Sequence, residues 1–178
     1  MAEFKTDRLL LKPIDAVDYD RFIRKILTDE RVVTYYYSYQ GLNDLEVIKQ
    51  KAQKDFWDYF ERARKNGLEI WAAYGHDDGE TLVGWCGMVL SELTERYGGV
   101  ELQYMLAGDF HGKGLATEFA QAVLNHAQNE LGHKYIIATV DIPNKGSIRV
   151  IEKLGFTFKG QIEAYGSTEM YFYEIYSV

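Results

Sequence analysis

Residues Leu106 to Thr117 read LAGDFHGKGLAT, and they leave an apolar strand pattern to enter a helical one. The first turn of a helix leaves amide N–H groups without partners, and the helix dipole adds partial positive charge there. Gly112 and Gly114 remove the Cβ atoms that would hold a ligand away, and Lys113 adds a positive charge. A phosphate or pyrophosphate suits that chemistry. A helix start whose two glycines serve only the turn would account for the same residues. Two familiar nucleotide loops do not fit. A Walker loop, G-x-x-x-x-G-K-[ST], needs one more residue between Gly108 and Gly112, and a hydroxyl where Gly114 stands. A dinucleotide fingerprint, G-x-G-x-x-G, needs glycine where Thr117 stands.

The elements that must position this loop follow from periodicity. Arg8 to Pro13 reads as a strand stopped by proline, and Asp15 and Asp18 offer caps for a helix through Tyr19, Phe22, Ile23, Ile26 and Leu27. Asn43 or Asp44 opens a second helix with an apolar stripe Leu45, Ile48, Ala52, Phe56, Tyr59, Phe60 and Ala63, ended by Asn66-Gly67. Three strands follow, 69–74, 82–90 and 100–106, with turns expected at 76–80 and at Gly98-Gly99. After the glycine loop, Ala116, Phe119, Ala120, Val123, Leu124, Ala127 and Leu131 mark a long helix. Residues 135–140 (YIIATV) read as a strand buried on both faces. Asn144 caps a short helix, and two strands close the chain. The order β–α–α–β–β–β–α–β–α–β–β predicts one α+β domain over residues 1–178, with a mixed sheet and a right-handed parallel crossover at 100–140.

Composition bounds the function. The 178 residues are 47% hydrophobic and 26% charged, which is globular. The net charge of −7 argues against direct binding of nucleic acid and is compatible with a cationic substrate. Cys86 is the one cysteine, so an intramolecular disulfide or a Cys-rich metal site is excluded. His126 and His133 lie seven apart without carboxylate or Cys partners nearby, so no metal is expected. No apolar run is long enough for a membrane helix. MAEFKTDRLLLKP has no signal-peptide pattern, and a reduced, cytoplasmic setting is expected.

HGKGLATE, residues 111–118, resembles the pyrophosphate loop of the GCN5-related N-acetyltransferases (GNAT family), [QR]-x-x-G-x-[GA], with His111 where Gln or Arg is commonest. Further segments resemble the ribosomal-protein N-terminal acetyltransferase branch. They are Thr6-Asp7-Arg8-Leu9-Leu10-Leu11, Val83-Gly84-Trp85-Cys86-Gly87, Glu101 to Leu106, Asn144-x-x-Ser147 and Val150 to Phe156. They occur in the family's order over nearly the whole chain.

The resemblance implies the GNAT fold, a mixed seven-stranded sheet flanked by about four helices, with two parallel strands splayed apart. It implies acetyl-CoA as cosubstrate, no metal, and a primary amine as acceptor, a protein N-terminal α-amine above all. The diphosphate is expected on residues 111–117: His111, Gly112, Lys113, Gly114, Leu115, Ala116 and Thr117. The pantetheine arm is expected along Met105, Leu106 and Ala107, as an added strand. Neutralising a lysine-type amine at pH 7 costs roughly 4–5 kcal/mol, but an α-amine only about 1 kcal/mol, so a modest base suffices. Strand alternation puts Glu101, Gln103 and Met105 on one face, opposite Leu102, Tyr104 and Leu106, and Glu101 is the expected base. Many family members use a helix tyrosine to protonate the thiolate. Ile151 stands there, so Ser147 takes the role, with Asn144 holding cofactor or loop; both residues also fit simple capping. Tyr35, Tyr36 and Tyr37 fall where the family walls its acceptor site, although core packing would also use them. Acetylation of a polyamine or antibiotic amine, and a non-catalytic CoA-binding module, remain alternatives. A homodimer is compatible with the edge strands.

Overall fold

A computed structural model of the chain describes residues 3–76, 79–165 and 168–177, apart from the side chains of Tyr37 and Thr168. The elements in chain order are β1 (Phe4–Lys5), β2 (Leu9–Pro13), α1 (Ala16–Phe22), α2 (Glu30–Val33), α3 (Leu45–Ala52) and α4 (Asp58–Lys65). Then come β3 (Ile70–Gly75), β4 (Leu82–Val89), α5 (Glu92–Tyr97), β5 (Val100–Leu106), α6 (Leu115–Asn129), β6 (Tyr135–Asp141), α7 (Lys145–Lys153), β7 (Thr157–Ala164) and β8 (Thr168–Tyr176). The strands form one mixed sheet in the order β1-β2-β3-β4-β5-β6-β8-β7.

The middle of the sheet is covered on both faces. All eight residues of β4 are buried. On one side Trp85 packs against Phe22, Phe56 and Phe60. On the other lies α6, whose buried stripe is Leu115, Phe119, Ala120, Val123, Leu124 and Ala127, as its periodicity predicts. The stripe of the second helix holds its phase by a local adjustment. Buried residues Ile48, Ala52, Phe56 and Phe60 recur every fourth position, a longer repeat than the 3.6-residue turn of an α-helix. A π-helical turn at Gln53–Trp57 between α3 and α4 absorbs the surplus rotation.

Two expectations are corrected. Among the described residues the sheet has eight strands, because Phe4–Lys5 adds a short edge strand by pairing with Leu10 and Leu11. A helix, α5, replaces the hairpin expected between the third and fourth strands. Ser91 starts it with a capping box: its hydroxyl accepts from the Leu93 and Thr94 amides, and the Thr94 hydroxyl accepts from the Ser91 amide. Gly98 and Gly99 then end that helix instead of turning a hairpin.

The feature that opens a site is a failure of pairing. Strand β5 is bonded to β4 from Gly84↔Leu106 to Val89↔Glu101. Strand β6 is bonded to β8 at every residue from Tyr135 to Asp141. Between β5 and β6, however, register partners exist only at Val100↔Ile136 and Glu101↔Ile137. Each strand is held by its outer neighbour, so the two diverge beyond Glu101. The inner edge of β5 from Leu102 to Leu106 has no β6 partner.

Candidate active site

The glycine loop closes the wide end of that gap. A short 3₁₀ turn at Gly108–Phe110 leads from β5 into His111-Gly112-Lys113-Gly114. Gly112 and Gly114 adopt φ of 73° and 77°, a region that costs other residues roughly 1–2 kcal/mol. Gly114 is the N-cap of α6 and offers no side-chain cap. The first intrahelical bond runs from the Glu118 amide to the Gly114 carbonyl, so the amides of Leu115, Ala116 and Thr117 precede the helical ladder. Gly112, Gly114, Leu115, Ala116 and Thr117 border a cleft of about 1250 Å³ that runs along the divergent strands.

Side chains from distant elements fix the loop. Arg8 donates from Nη1 to the Lys113 carbonyl at 2.9 Å and from Nε to Glu118 Oε2 at 2.7 Å. The Thr6 hydroxyl and the Arg8 amide donate to Glu118 Oε1 at 2.6 and 2.8 Å. Burial raises the Glu118 pKa, but these bonds outweigh it and hold the carboxyl below its ordinary value. On the far side Arg31 bridges Asp29 at 2.6 Å and Asp109 at 2.8 Å. A Cβ on Gly108 would collide with that bridge.

Met105, Leu106, His111 and Asn144 also border the cleft. The His111 ring nitrogen Nε2 lies 3.2 Å from the Leu106 carbonyl. One expected contact is corrected. Ala107 does not border the cleft: its amide donates to Val83 at 2.9 Å and its carbonyl accepts from Phe110 at 3.0 Å. The exposed Lys113 ammonium lies 5.4 Å from the ring centre of Phe110, a cleft-lining residue, while the Lys113 carbonyl is held by Arg8.

Glu101 sits at the point where the strands part, and it is only 1% exposed. The Thr139 hydroxyl, from β6, donates to its Oε1 at 2.8 Å. The Tyr165 hydroxyl, from the turn after β7, donates to its Oε2. Burial pushes the Glu101 carboxyl upward, and its hydrogen bonds only partly oppose this. Tyr35 and Tyr36 border the same end of the cleft. Tyr36 also packs on Phe56 at 6.0 Å, so it serves the core and the cleft together. Burial, then the nearby Glu101, pushes its phenol up to about 12. The expected third tyrosine, Tyr37, has a side chain outside the described part of the structure.

Ser147 stands across the gap at the start of α7. Asn144 is the N-cap, its Oδ1 accepting from the Ser147 amide at 3.0 Å. The Ser147 hydroxyl lies 2.6 Å from the Tyr104 hydroxyl. Alternation had set Tyr104 away from the cleft, yet Tyr104 borders it, because an unpaired strand edge exposes both faces to the gap. Burial raises the Tyr104 phenol above its ordinary value, so it keeps its proton at neutral pH.

Residues 8–157 match the family profile described as the acetyltransferase (GNAT) domain. This chain belongs to the GNAT acetyltransferase family. It is 32% identical over 158 residues to the uncharacterized protein YkkB of Bacillus subtilis, covering 88% of this chain and 86% of that one. Its fold is similar to that of RimL, a ribosomal L7/L12 α-N-protein acetyltransferase solved in complex with coenzyme A. The TM-score is 0.70 at 13% identity, covering 96% and 95% of the two chains. It is equally similar to a Vibrio cholerae spermidine N-acetyltransferase solved with CoA and spermine, with a TM-score of 0.70 at 17% identity, covering 96% of each.

Within this GNAT chain, sequence reasoning missed Arg8, Tyr104, Thr139 and Tyr165. Their partners lie far away in sequence and come together only through the sheet. The signal for Arg8 was a lone cation at a strand start. Tyr165 showed only as an aromatic beside Gly166 between two strand patterns. His126 is also corrected: it has a carboxylate partner, Glu69 Oε2 at 3.2 Å, against the rings of Phe4 and Trp71. Among the described residues no group of three His, Cys, Asp or Glu could hold a metal. Cys86 is buried in β4, and burial pushes its thiol up, so it is an inert core residue. No helix among the described residues is long and apolar enough to cross a membrane.

Proposed function

We propose that this acetyltransferase moves an acetyl group from acetyl-CoA to a primary amine, foremost a protein N-terminal α-amine, by direct attack on the thioester. The observation that carries the reading is the loss of β5–β6 pairing after Glu101, with an uncapped helix start at the wide end of the gap. The residues fit the cosubstrate. Amides at Gly112 and Gly114 to Thr117 suit a diphosphate, and the unpartnered edge at Leu102–Leu106 suits an extended, amide-bearing arm. His111 and Asn144 also border the cleft, just beyond the C-terminal ends of β5 and β6. Acetyl-CoA, when bound, supplies the activated acyl group. The chain's own residues do the rest. The free β5 edge can align a carbonyl and polarise it through a backbone N–H. Glu101 supplies a proton sink at the origin of the gap. Ser147, backed by Tyr104, can donate a proton towards a departing sulfur. We read residues 1–178 as one catalytic domain, working in the cytoplasm, in keeping with its one reduced cysteine.

An α-amine is favoured as acceptor because its deprotonation is cheap, about 1 kcal/mol at pH 7, and the Glu101 carboxylate is almost fully buried. RimL and the Vibrio cholerae spermidine N-acetyltransferase share this fold equally, so the fold itself does not choose between the two acceptors. One observation favours polyamines as a second reading: Asp55, Glu92 and Glu95 border the acceptor end and would attract a polycation. A relative, the spermidine N(1)-acetyltransferase of Escherichia coli, is 24% identical over 155 residues. Thiol release from acetyl-CoA, measured against N-terminal peptides, spermidine and spermine, tests both. Turnover with peptides at kcat/KM above that for polyamines is expected. The reverse order would move the assignment to polyamines. CoA binding with no turnover on any amine would reduce the protein to a binding module.

A further inference from the structure

We infer that the Tyr165 hydroxyl, and not the Glu101 carboxylate, meets the acceptor amine, and that Tyr165 passes the amine's proton inward to Glu101. The inference rests on the acyl-transfer reading above and assigns a catalytic residue within it. Its ground is access. Glu101 is 1% exposed and both of its oxygens are occupied, Oε1 by the Thr139 hydroxyl and Oε2 by the Tyr165 hydroxyl. Glu101 borders the cleft with almost no accessible surface, and each oxygen already accepts a hydroxyl, so the more accessible group an amine meets at this point is the Tyr165 hydroxyl. Tyr165 is 42% exposed and borders the cleft, so it joins the buried sink to the accessible volume.

The chain holds Tyr165 in place at a cost. Among the described residues it is the one non-glycine with positive φ, at 50°. Such a conformation is unfavourable for a residue with a side chain and persists only where the surroundings impose it. Its amide donates to Glu92 Oε1 at 2.6 Å, which ties the β7–β8 turn to the start of α5. The Gln103 side-chain amide donates to its hydroxyl at 3.4 Å. Among the described residues, the other titratable or charged groups bordering this end are Tyr35 and Tyr36 after α2, Asp55 before α4, Tyr59 and Arg62 in α4, Glu95 on α5 and Asp141 at the end of β6.

The step balances. As an N–H bond of the ammonium breaks, its proton goes to the Tyr165 oxygen, and the phenolic proton moves to Glu101 Oε2. The products are a neutral amine, an intact phenol and a protonated carboxyl. After turnover the proton leaves Glu101 by the same path to solvent.

Tyr165→Phe keeps the ring and removes the hydroxyl. With an N-terminal peptide as acceptor, its kcat/KM is expected to fall at least tenfold at pH 6.5. Above pH 9, where an α-amine of pKa about 7.7–8.0 is already neutral, the loss should shrink to about twofold or less. Glu101→Gln should show the same pH-dependent loss, and the double variant should be no worse than either single one. CoA affinity by calorimetry and the melting temperature guard against misfolding. An equal loss at every pH, an unchanged rate, or fully additive losses would overturn the relay. If the wild-type protein itself turns over no amine, the acyl-transfer reading falls first, and with it the relay.

Discussion

The hydroxyls of Tyr104 and Ser147 lie 2.6 Å apart, joining the free edge of β5 to the first turn of α7. Tyr104 also accepts an edge-on approach to Phe119, with ring centres 6.1 Å apart, which fixes the phenol from the α6 side. A serine hydroxyl alone is a weak acid. With the phenol donating to it, its own proton can point into the gap.

Ser147→Ala and Tyr104→Phe should each lower kcat by about 100-fold, the lower bound of the range for a lost acid–base group. The KM for acetyl-CoA should change less than threefold, because neither hydroxyl belongs to the diphosphate cradle. Steady-state kinetics at saturating amine checks this. Unchanged kcat in both variants would assign thiolate protonation to solvent.

Gly114→Ala should weaken CoA binding at least tenfold while lowering the melting temperature by only a few degrees. The new Cβ would meet nothing closer than Arg8 Nη2 at 3.6 Å, so the penalty is conformational, at φ 77°. Gly41→Ala is the control. It has a similar φ of 74° and open space, but lies away from the loop. It should lose similar stability and leave calorimetric CoA affinity unchanged.

Glu101→Gln should stabilise the protein at pH 7, even as it impairs turnover. Burial raises the folded-state pKa of Glu101 above its ordinary value. A raised acid favours folding below its unfolded pKa, about 4.3, and loses that contribution as pH rises through the folded pKa. The neutral amide removes the cost of the buried charge. Melting curves from pH 4 to 8 should show a gain at neutral pH that vanishes towards pH 4. A variant less stable than wild type at pH 7 would mean that the Thr139 and Tyr165 bonds outweigh desolvation.

Glu118 behaves with the opposite sign. Its folded pKa is depressed, so its contribution is present above about pH 4.3 and lost as pH falls through the folded value. Glu118→Gln should loosen the loop and raise the Kd for CoA several-fold at pH 7. Arg8 is half exposed, so added salt should shrink the difference. Calorimetry at low and high ionic strength checks it.

The parts legible in the sequence were local ones. Gly112 and Gly114 announced a turn and an anion-ready helix start within three residues. The stripe from Leu115 to Ala127 announced α6, and Asp15, Asp44 and Asn144 announced helix starts. Parts set by tertiary contact were not legible. Glu101 could be named from its strand position, but its burial depends on Thr139 and Tyr165, 38 and 64 residues away. Tyr104 was set away from the cleft because alternation assigns faces as if both strand edges were covered, whereas β5 is paired with β4 at Tyr104 but not with β6. Gly98-Gly99 read as a hairpin turn because a six-residue helix, Glu92–Tyr97, is too short to show periodicity. Its Ser91–Thr94 capping box was the available signal.

The most direct test is a crystal structure of the protein with acetyl-CoA. The account predicts the diphosphate on the amides of Gly112 to Thr117, the acyl arm along the β5 edge beyond Glu101, and the thioester between Ser147 and Tyr165. A diphosphate bound elsewhere, or β5 and β6 paired continuously past Glu101, would contradict it.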